Sequence, residues 1–305
     1  MLVLSGGTGT PKLLNGLRKV MPEEDITVIV NTAEDLWVSG NLVTPDIDTV
    51  LYTFSERIDA DKWWGVAGDT FRTYDLMRSL GHRERMMLGD LDRATHIIRT
   101  EYLREGCSLT DSIRRLSASL GIKARVLPMS DNPVSTMIVT PKGKMHFQDF
   151  WITDHGEPEV LDVFQEGIDQ ASVSPAVLEA LEAEDQVLIG PSNPITSIGP
   201  IIRLPGMVDI LRGKKVIAVS PIIGNEPVSG PAGKLMRAKG LPVSSPGVAA
   251  CYGEFLDALI IDERDPVDET MFEDLGCKVV RADTLMKTRE ISMDLSRLVI
   301  GQFLV

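Results

Sequence analysis

The chain has 305 residues, of which 43% are hydrophobic and 25% charged, and its formal net charge is −13. This length suffices for one large α/β domain, and the negative charge argues against a basic nucleic-acid-binding face. No apolar run approaches the roughly 20 residues that span a bilayer, and no signal-peptide pattern is visible. Three scattered cysteines without a Cys-x-x-Cys pair fit a reducing compartment. We therefore expect a cytoplasmic protein that binds neither nucleic acid nor membrane.

Short runs rich in valine and isoleucine alternate with helical patterns along the chain. Seven runs predict strands, at Leu2–Leu4, Ile26–Val30, Arg125–Leu127, Gln186–Ile189, Lys215–Val219, Ala258–Ile261 and Lys278–Val280. Helical patterns lie at Pro11–Val20, Ala176–Glu184, Lys234–Lys239 and Ile291–Phe303. Continuously apolar strands are typical of a parallel sheet covered on both faces. The alternation predicts a doubly wound, mostly parallel, Rossmann-like α/β fold.

Two segments depart from this alternation. Residues from about 49 to 120 lack strand signals and carry helical patterns at Thr49–Glu56, Thr70–Leu80, Leu91–Glu105 and Leu109–Leu120. We expect one domain over residues 1–305, with 49–120 as a helical insertion that covers the active site. Farther along, Thr136–Thr140 and Met145–Trp151 flank a Pro-Lys-Gly turn and predict a small β-hairpin.

A glycine-rich loop follows the first predicted strand, in the stretch LSGGTGTPKLLNGL. Its glycines allow the backbone to approach a ligand, and the following helix adds a positive dipole end that favours an anion. The candidate anion contacts are Gly6, Gly7, Thr8, Gly9, Thr10 and Lys12. The spacing matches neither the G-x-G-x-x-G fingerprint nor the Walker A pattern. A tight strand–helix turn without a ligand remains the alternative.

Polar residues also follow other predicted strands, at the sheet edge where α/β proteins bind ligands. The second strand leads into the loop Asn-Thr-Ala-Glu-Asp at 31–35, where ordinary solvation is an equal alternative. Next, Asp46 and Asp48 stand two apart near a predicted helix start, and in an extended segment both carboxylates would point the same way. Such a pair suits Mg²⁺ with substrate phosphates, although helix capping is the alternative. After a later strand, Ser192, Asn193 and Ser197 are candidate donors to a nucleotide, although a helix cap without a ligand is the alternative.

Large flexible or aromatic side chains mark the predicted insertion. Trp63 and Trp64 lie beside glycines, and Met86 and Met87 precede the acidic helix start at Asp90. These residues could form a platform for a flat aromatic ligand. Packing within the insertion explains them equally well.

Several blocks of the chain resemble the 2-phospho-L-lactate transferase family of deazaflavin coenzyme biosynthesis in methanogens. Besides the glycine-rich stretch, they read VNTAEDLWVSGNLVTPDIDTVLY, WWGVAGDTF, LGDLDRATHIIRTEYLREG, PMSDNPVSTMI and IGPSNPITSIGPII. The resemblance implies that the ribityl hydroxyl of the deazaflavin Fo attacks a guanosine diphosphate-activated lactate (or its enolpyruvyl counterpart), releasing GMP. It also implies a requirement for Mg²⁺. For a protein of this size and class we expect a homodimer.

With this chemistry, the candidate residues take specific roles. The glycine-rich loop and Lys12 would hold the diphosphate, and Ser192 and Asn193 the guanosine side. We expect Asp48 to contact the attacking hydroxyl and Asp46 to contact the metal, although the order could be reversed. The deazaflavin would be contacted by Asp48, Trp63, Trp64, Met87 and Asp90, with Met86 beside them.

Two other function classes remain open. A related bacterial group of nucleotide-sugar-binding regulatory proteins shares the glycine-rich opening, but its acidic motif characteristically reads Pro-Gly-Asp-Ile-Arg-Asn. Here the motif reads Thr-Pro-Asp-Ile-Asp-Thr, with Asp48 where that group carries arginine, which favours the transferase. A dinucleotide-dependent oxidoreductase is weaker, because the third fingerprint glycine is missing.

Overall fold

The computed structural model of the chain describes residues 1–304, apart from the side chain at position 273. Its strands are β1 (Leu2–Ser5), β2 (Thr27–Val30), β3 (Leu36–Val38), β4 (Asn41–Val43), β5 (Arg125–Pro128), β6 (Ser135–Thr140), β7 (Gly143–His146), β8 (Asp162–Glu166), β9 (Gln186–Ile189), β10 (Lys215–Val219), β11 (Ile222–Ile223), β12 (Glu226–Pro227), β13 (Ala258–Asp262) and β14 (Lys278–Ala282).

The helices connect these strands and cover the sheet. They are α1 (Gly9–Val20), α2 (Pro45–Phe54), α3 (Arg72–Ser79), α4 (Asp90–Arg104), α5 (Leu109–Ser119), α6 (Pro175–Ala183), α7 (Gly199–Arg203), α8 (Met207–Leu211), α9 (Ala232–Ala238), α10 (Ser245–Tyr252) and α11 (Arg289–Leu304). Within the described residues, no helix combines the length and apolar character needed to cross a membrane.

Seven parallel strands form the central sheet, in the order β14-β13-β10-β9-β1-β2-β5. Counted along the chain, these are strands 7-6-5-4-1-2-3, so the winding direction reverses between β1 and β9. This order is that of a doubly wound Rossmann-like sheet. The predicted α/β fold class is confirmed, and all seven predicted strands are present.

Both faces of the sheet are buried, which explains the continuous apolar strands. In β1, Leu2 and Leu4 pack into one core cluster, whereas Val3 packs into the other. Successive side chains of a strand point to opposite faces, so each cluster lies on one side of the sheet. Helices α6, α7, α8, α9 and α10 contribute to the first cluster. Helices α1, α2, α5 and α11 contribute to the second.

The predicted insertion is helical, but its two ends belong to the main core. Val50 of α2 and Ile113 of α5 are both fully buried in the second core cluster. Between these helices, α3 has no buried residue, whereas α4 still packs Tyr102 and Leu103 against the second core cluster. The boundaries 49–120 stay a prediction. A short hairpin of β3 and β4, which the sequence analysis did not predict, precedes α2.

The predicted hairpin is present with a shorter second strand. β6 pairs with β7 from Met137 opposite His146 to Thr140 opposite Gly143, and β8 adds a third strand. The expectation of a strand as far as Trp151 is wrong, because a π-helical turn occupies Asp149–Thr153. Phe147 and Phe150 are both buried against the core. Their spacing of three residues fits one face of a helical turn rather than the alternation of a strand.

Candidate active site

A cavity of about 990 Å³ lies at the carboxyl ends of the sheet strands. Residues following β1, β2, β9, β10 and β14 line it, so it spans the point between β1 and β9 where the winding reverses. Ligand sites of open α/β sheets occur at this position. The predicted site residues that line it are Gly7, Thr8, Gly9, Lys12, Asp46, Trp63, Trp64, Met86, Met87, Ser192 and Asn193. The structure therefore brings most of the predicted residues together.

The glycine-rich loop contacts other protein segments more closely than predicted. Gly7 adopts a φ of +58°, which favours glycine, and its N–H donates to Asp46 Oδ1 at 2.8 Å. This amide is thus occupied by a protein carboxylate, contrary to a free anion-binding role. A Cβ on Gly9 would lie 1.9 Å from the carbonyl oxygen of Pro191, so that glycine is needed for packing. The first amides of α1 have no acceptor within the helix, which leaves them available to an anion.

Side chains join the loop after β1 to the loop after β9. The hydroxyls of Thr10 and Ser192 are 2.6 Å apart, and Ser192 also donates to the carbonyl of Gly6. Thr10 and Gly6 do not line the cavity, so their role in this structure is to fix the loop. Asn193 accepts from the amide of Ile195 through Oδ1 at 2.9 Å, which leaves its Nδ2 hydrogens for a ligand.

Two buried carboxylates line the cavity: Glu34, in the loop that follows β2, and Asp46, in the first turn of α2. Asp46 Oδ2 accepts from Asn31 Nδ2 at 2.8 Å, and burial raises the pKa of Asp46 to about 6. Burial also raises the pKa of Glu34 well above its usual range, and the charge of Asp46 adds to that effect. Among the residues that the structure describes, neither carboxylate has a cationic side chain close enough to form an ion pair. Buried carboxylates without a cationic partner, in an all-oxygen set, fit a divalent cation such as Mg²⁺.

Asp48 does not line the cavity, which contradicts its predicted contact with a substrate hydroxyl. The segment that carries both aspartates is helical from Pro45, not extended. Residues two apart on a helix point about 200° away from each other, so Asp46 and Asp48 face opposite sides of α2. The carboxylate of Asp48 is bound by Arg99 Nη1 at 2.6 Å and Nη2 at 3.0 Å. Burial alone would raise the pKa of Asp48, but the charge of Arg99 and the contact with His96 lower it well below its usual range.

A buried polar network surrounds Asp48, and the sequence analysis did not predict it. His96 Nε2 lies 3.2 Å from Asp48 Oδ2 and 3.1 Å from Asp92 Oδ1. Although burial lowers the pKa of His96, the two carboxylates raise it overall. With His96 protonated, its charge and that of Arg99 balance Asp48 and Asp92. Asp48, Asp92 and His96 are close enough together to bind one metal ion. However, Arg99 already neutralises Asp48, so this cluster is an internally neutralised ion network rather than a metal centre.

Aromatic and thioether side chains from the segment between α2 and α4 form one wall of the cavity. Trp63, Trp64, Met86 and Met87 all line it, beside Lys12. The Nζ of Lys12 lies 5.6 Å from the ring centroid of Trp63, within cation–π range, and burial lowers the pKa of Lys12. This wall is where the sequence analysis predicted the deazaflavin contacts.

Asp90 does not belong to that wall. It accepts hydrogen bonds at 3.0 Å from the amides of Arg72 and Thr73, and another from the Thr70 hydroxyl. These contacts cap the start of α3 and lower the pKa of Asp90, chiefly through Thr70. Since Asp90 is absent from the cavity lining, its predicted contact with the deazaflavin is not supported. The acidic helix start therefore reflects capping.

Sequence reasoning also left out residues that the structure brings into the cavity. Glu34 lay in a polar loop that was noted, but nothing in the sequence distinguished it from its neighbour Asp35. The segment Thr284, Leu285, Met286 and Lys287 after β14 lines the far end of the cavity. Its position after a strand of the sheet was the signal that could have identified it.

The chain is similar over nearly its whole length to proteins of one known family. The family described as "2-phospho-L-lactate transferase CofD" matches residues 1–298. A 2-phospho-L-lactate transferase of Methanosarcina barkeri is 64% identical over 303 residues, covering 99% of this chain and 98% of that protein. The protein of the same name from Methanocaldococcus jannaschii is 46% identical over 302 residues, covering 98% of this chain and 96% of that protein.

A solved structure supports the fold at a larger distance. The crystal structure of a UPF0052 family member from Bacillus halodurans superposes with a TM-score of 0.67 at 17% identity. It covers 98% of this chain and 97% of that chain. This similarity concerns the fold alone.

Proposed function

Because the chain belongs to the 2-phospho-L-lactate transferase family, we propose that it transfers a 2-phospho-L-lactate group, or its phosphoenolpyruvyl counterpart. The donor is a guanosine diphosphate-activated compound, the acceptor is the ribityl hydroxyl of the deazaflavin Fo, and GMP is released. The observation that carries this proposal is the buried carboxylate of Asp46. It lies in the cavity beside the glycine-rich loop, and the wall of tryptophans and methionines lines the same cavity.

The two substrates lie at different parts of the cavity in this proposal. The donor diphosphate lies at the start of α1, where the free amides of the first turn and Lys12 supply positive charge. Its guanosine extends past Asn193. The deazaflavin packs against Trp63 and Trp64, since a flat aromatic ring stacks well on indole. Asp46 then lies where the acceptor hydroxyl meets the donor phosphorus.

The reaction exchanges one phosphorus–oxygen bond for another. The ribityl oxygen attacks the phosphorus that carries lactate, the bond from that phosphorus to GMP breaks, and its electron pair leaves with GMP. The attacking oxygen loses its proton, and we assign that proton to Asp46. A pKa of about 6 keeps this carboxylate ionised at neutral pH yet more basic than an exposed aspartate. Asp48 is not assigned this role, because it does not line the cavity and its ion pair with Arg99 lowers its pKa.

Positioning and charge neutralisation contribute most to phosphoryl transfer. We propose that Glu34 holds Mg²⁺ together with oxygens of the donor phosphates, as is common for this ion. When bound, the ion neutralises charge on the diphosphate. Asp46 already has both oxygens fixed by Gly7 and Asn31, which suits it to orient a hydroxyl. The homodimer and the cytoplasmic location remain proposals.

The test mixes the protein with Fo, Mg²⁺ and lactyl or enolpyruvyl diphosphoguanosine, and follows GMP and the new phosphodiester by chromatography and mass spectrometry. We expect both products in equal amounts, and neither without Fo. Asp46→Asn should lower turnover by about 10²-fold or more, the scale of a lost general base. Asp61→Asn, which removes another carboxylate from the cavity lining, is the matched control and should keep the rate.

Other outcomes would contradict the proposal in distinct ways. GMP without phosphodiester would mean hydrolysis by water. No product, together with saturable binding of a uridine diphosphate sugar, would indicate a nucleotide-sugar-binding regulatory protein. Full turnover by Asp46→Asn would remove Asp46 from the chemistry while leaving the transferase assignment in place.

A further inference from the structure

Arg99 of helix α4 is fully buried and joins three segments of the chain. Its guanidinium donates to both oxygens of Asp48 on α2, and to the carbonyl of Leu42 in β4 from Nε at 3.2 Å and Nη2 at 2.8 Å. One rigid planar fork therefore fixes the strand that leads into α2 and the first turn of α2 itself. Arg99 does not line the cavity, so its connection to the site runs through its partners.

His96 reinforces the same attachment from one turn earlier in α4. Its Nε2 lies between the carboxylates of Asp48 and Asp92, and Tyr52 of α2 donates to Asp92 Oδ1 at 2.7 Å. Helices α2 and α4 are thus joined at two levels by a buried set of polar groups. All of these residues are at most 6% exposed.

The network reaches Asp46 through the start of α2. Asp48 Oδ2 lies 3.3 Å from the amide nitrogen of Thr44, which donates to it. The side chain of Thr44 accepts no hydrogen bond from this helix, so the contact between the Thr44 amide and Asp48 is the side-chain hydrogen bond that holds the start of α2. Asp46 lies between Thr44 and Asp48, and its orientation is therefore fixed on one side by the α2 backbone and on the other by Gly7 and Asn31.

We propose that Arg99 and His96 are positioning residues for phosphoryl transfer, which hold the start of α2 through Asp48 and thereby aim Asp46 into the cavity. The proposal rests on the proposed function for the role of Asp46. A buried ion pair is weak support for stability alone, because desolvation offsets much of its attraction. Its geometric effect is a better account, since a small displacement of an aligned group can lower the rate of transfer strongly.

Helix α4 provides a matched control in a second arginine. Arg93 forms a similar two-point pair with Glu84, through Nη1 at 2.9 Å and Nη2 at 2.7 Å, and is only 8% exposed. Within the described residues, neither Arg93 nor Glu84 lines the cavity, and neither is hydrogen-bonded or ion-paired to α2. Arg99→Lys and Arg93→Lys therefore each remove a two-point arginine–carboxylate pair from α4. Only the pair of Arg99 is connected to Asp46 through α2.

The experiment measures two quantities for Arg99→Lys, Arg99→Met, His96→Gln and Arg93→Lys. The first is steady-state turnover, with kcat and the KM for the donor determined separately. The second is deuterium uptake in the peptide covering residues 2–13, which contains the Gly7 amide that donates to Asp46. Melting temperatures identify variants that remain folded.

We expect kcat to fall at least tenfold in Arg99→Lys and further in Arg99→Met, with less than a threefold change in the donor KM. In both Arg99 variants, the peptide covering residues 2–13 should take up deuterium rapidly at about one more amide than it does in the wild type. His96→Gln should show both effects in weaker form, and Arg93→Lys neither. Wild-type kcat and uptake in a folded Arg99→Lys would overturn the proposal, and so would equal losses in Arg93→Lys. If Arg99→Lys does not fold, His96→Gln decides by the same criteria. If the wild type transfers nothing, the proposed function has failed, and the uptake measurement still decides the positioning role.

Discussion

The ionisation of Asp46 should reduce the stability of the metal-free protein, and replacing it with asparagine should expose that cost. Burial raises the pKa of Asp46 from 3.8 to about 6. Between these values the unfolded chain releases a proton that the folded protein keeps, so the free energy of unfolding decreases as pH rises. A shift of about two units corresponds to about 3 kcal/mol, lost between roughly pH 4 and pH 6 and fully absent above pH 6.

Urea unfolding of metal-free wild type and Asp46→Asn at several pH values between 4 and 7 measures this effect. Asparagine places a second amide near Asn31, which adds an offset that does not vary with pH. The informative quantity is therefore the pH dependence of the difference, which should change by about 3 kcal/mol in favour of Asp46→Asn. Release of the neighbouring Glu34 from the charge of Asp46 acts in the same direction.

Asp90 supplies a control of opposite sign. Its hydrogen bonds, chiefly from Thr70, lower its pKa, so its contribution to stability is present at neutral pH and is lost as pH falls. This loss occurs below the unfolded pKa of 3.8, so the difference between wild type and Asp90→Asn should stay nearly constant from pH 4 to 7 and shrink only at lower pH. A difference between wild type and Asp46→Asn that is flat with pH would refute the account of Asp46 as a buried, destabilised base.

Three further outcomes follow from the site. Gly7→Ala places a side chain at a φ of +58° and should weaken GDP binding about tenfold, as measured by calorimetry. Gly81→Ala, at a φ of +85° but outside the cavity lining, is the control and should leave GDP binding unchanged. Equal GDP affinities of the two variants would show that the loop is not part of the donor site. Glu34→Gln should raise the Mg²⁺ concentration for half-maximal activity, and an unchanged value would exclude Glu34 as a ligand. Trp64→Leu should weaken Fo binding about fivefold or more, because it removes an aromatic surface from the cavity. Trp37→Leu lies outside the cavity lining and should leave Fo binding unchanged. Equal effects of the two substitutions would refute stacking of Fo on Trp64.

The sequence predicted the sheet well because the signal is local. Strands buried on both faces, such as Lys215–Val219, read as unbroken apolar runs whatever their neighbours are. The hairpin strand ending at His146 was predicted too long, since Phe147 and Phe150 are as apolar as strand residues but face one side of a π-helical turn. Short strands such as Leu36–Val38 carry too few residues for a period to emerge.

The site was predictable in its location and less so in its contacts. Glycines after β1 and polar residues after β9 mark the sheet edge, and the structure brings them to one cavity. The directions of Asp46 and Asp48 depended on where α2 begins, and helix boundaries are the least reliable part of a pattern. The partner of Asp48 is Arg99, 51 residues away. Such pairings are set by the packing of α2 on α4, which no local spacing encodes.

The breadth of the cavity has a kinetic consequence. From the end of β14 to the end of β2 the sheet order gives five strand spacings, or about 24 Å at roughly 4.8 Å each. That length would accommodate the two substrates of the proposed reaction, a nucleotide and a flavin-sized ring, side by side. Both substrates can therefore be bound before any bond is broken, and no group of the protein needs to carry the phosphoryl moiety between them. Initial-rate plots with one substrate varied at fixed levels of the other should then give intersecting lines, the signature of a ternary complex, rather than the parallel lines of a covalent intermediate.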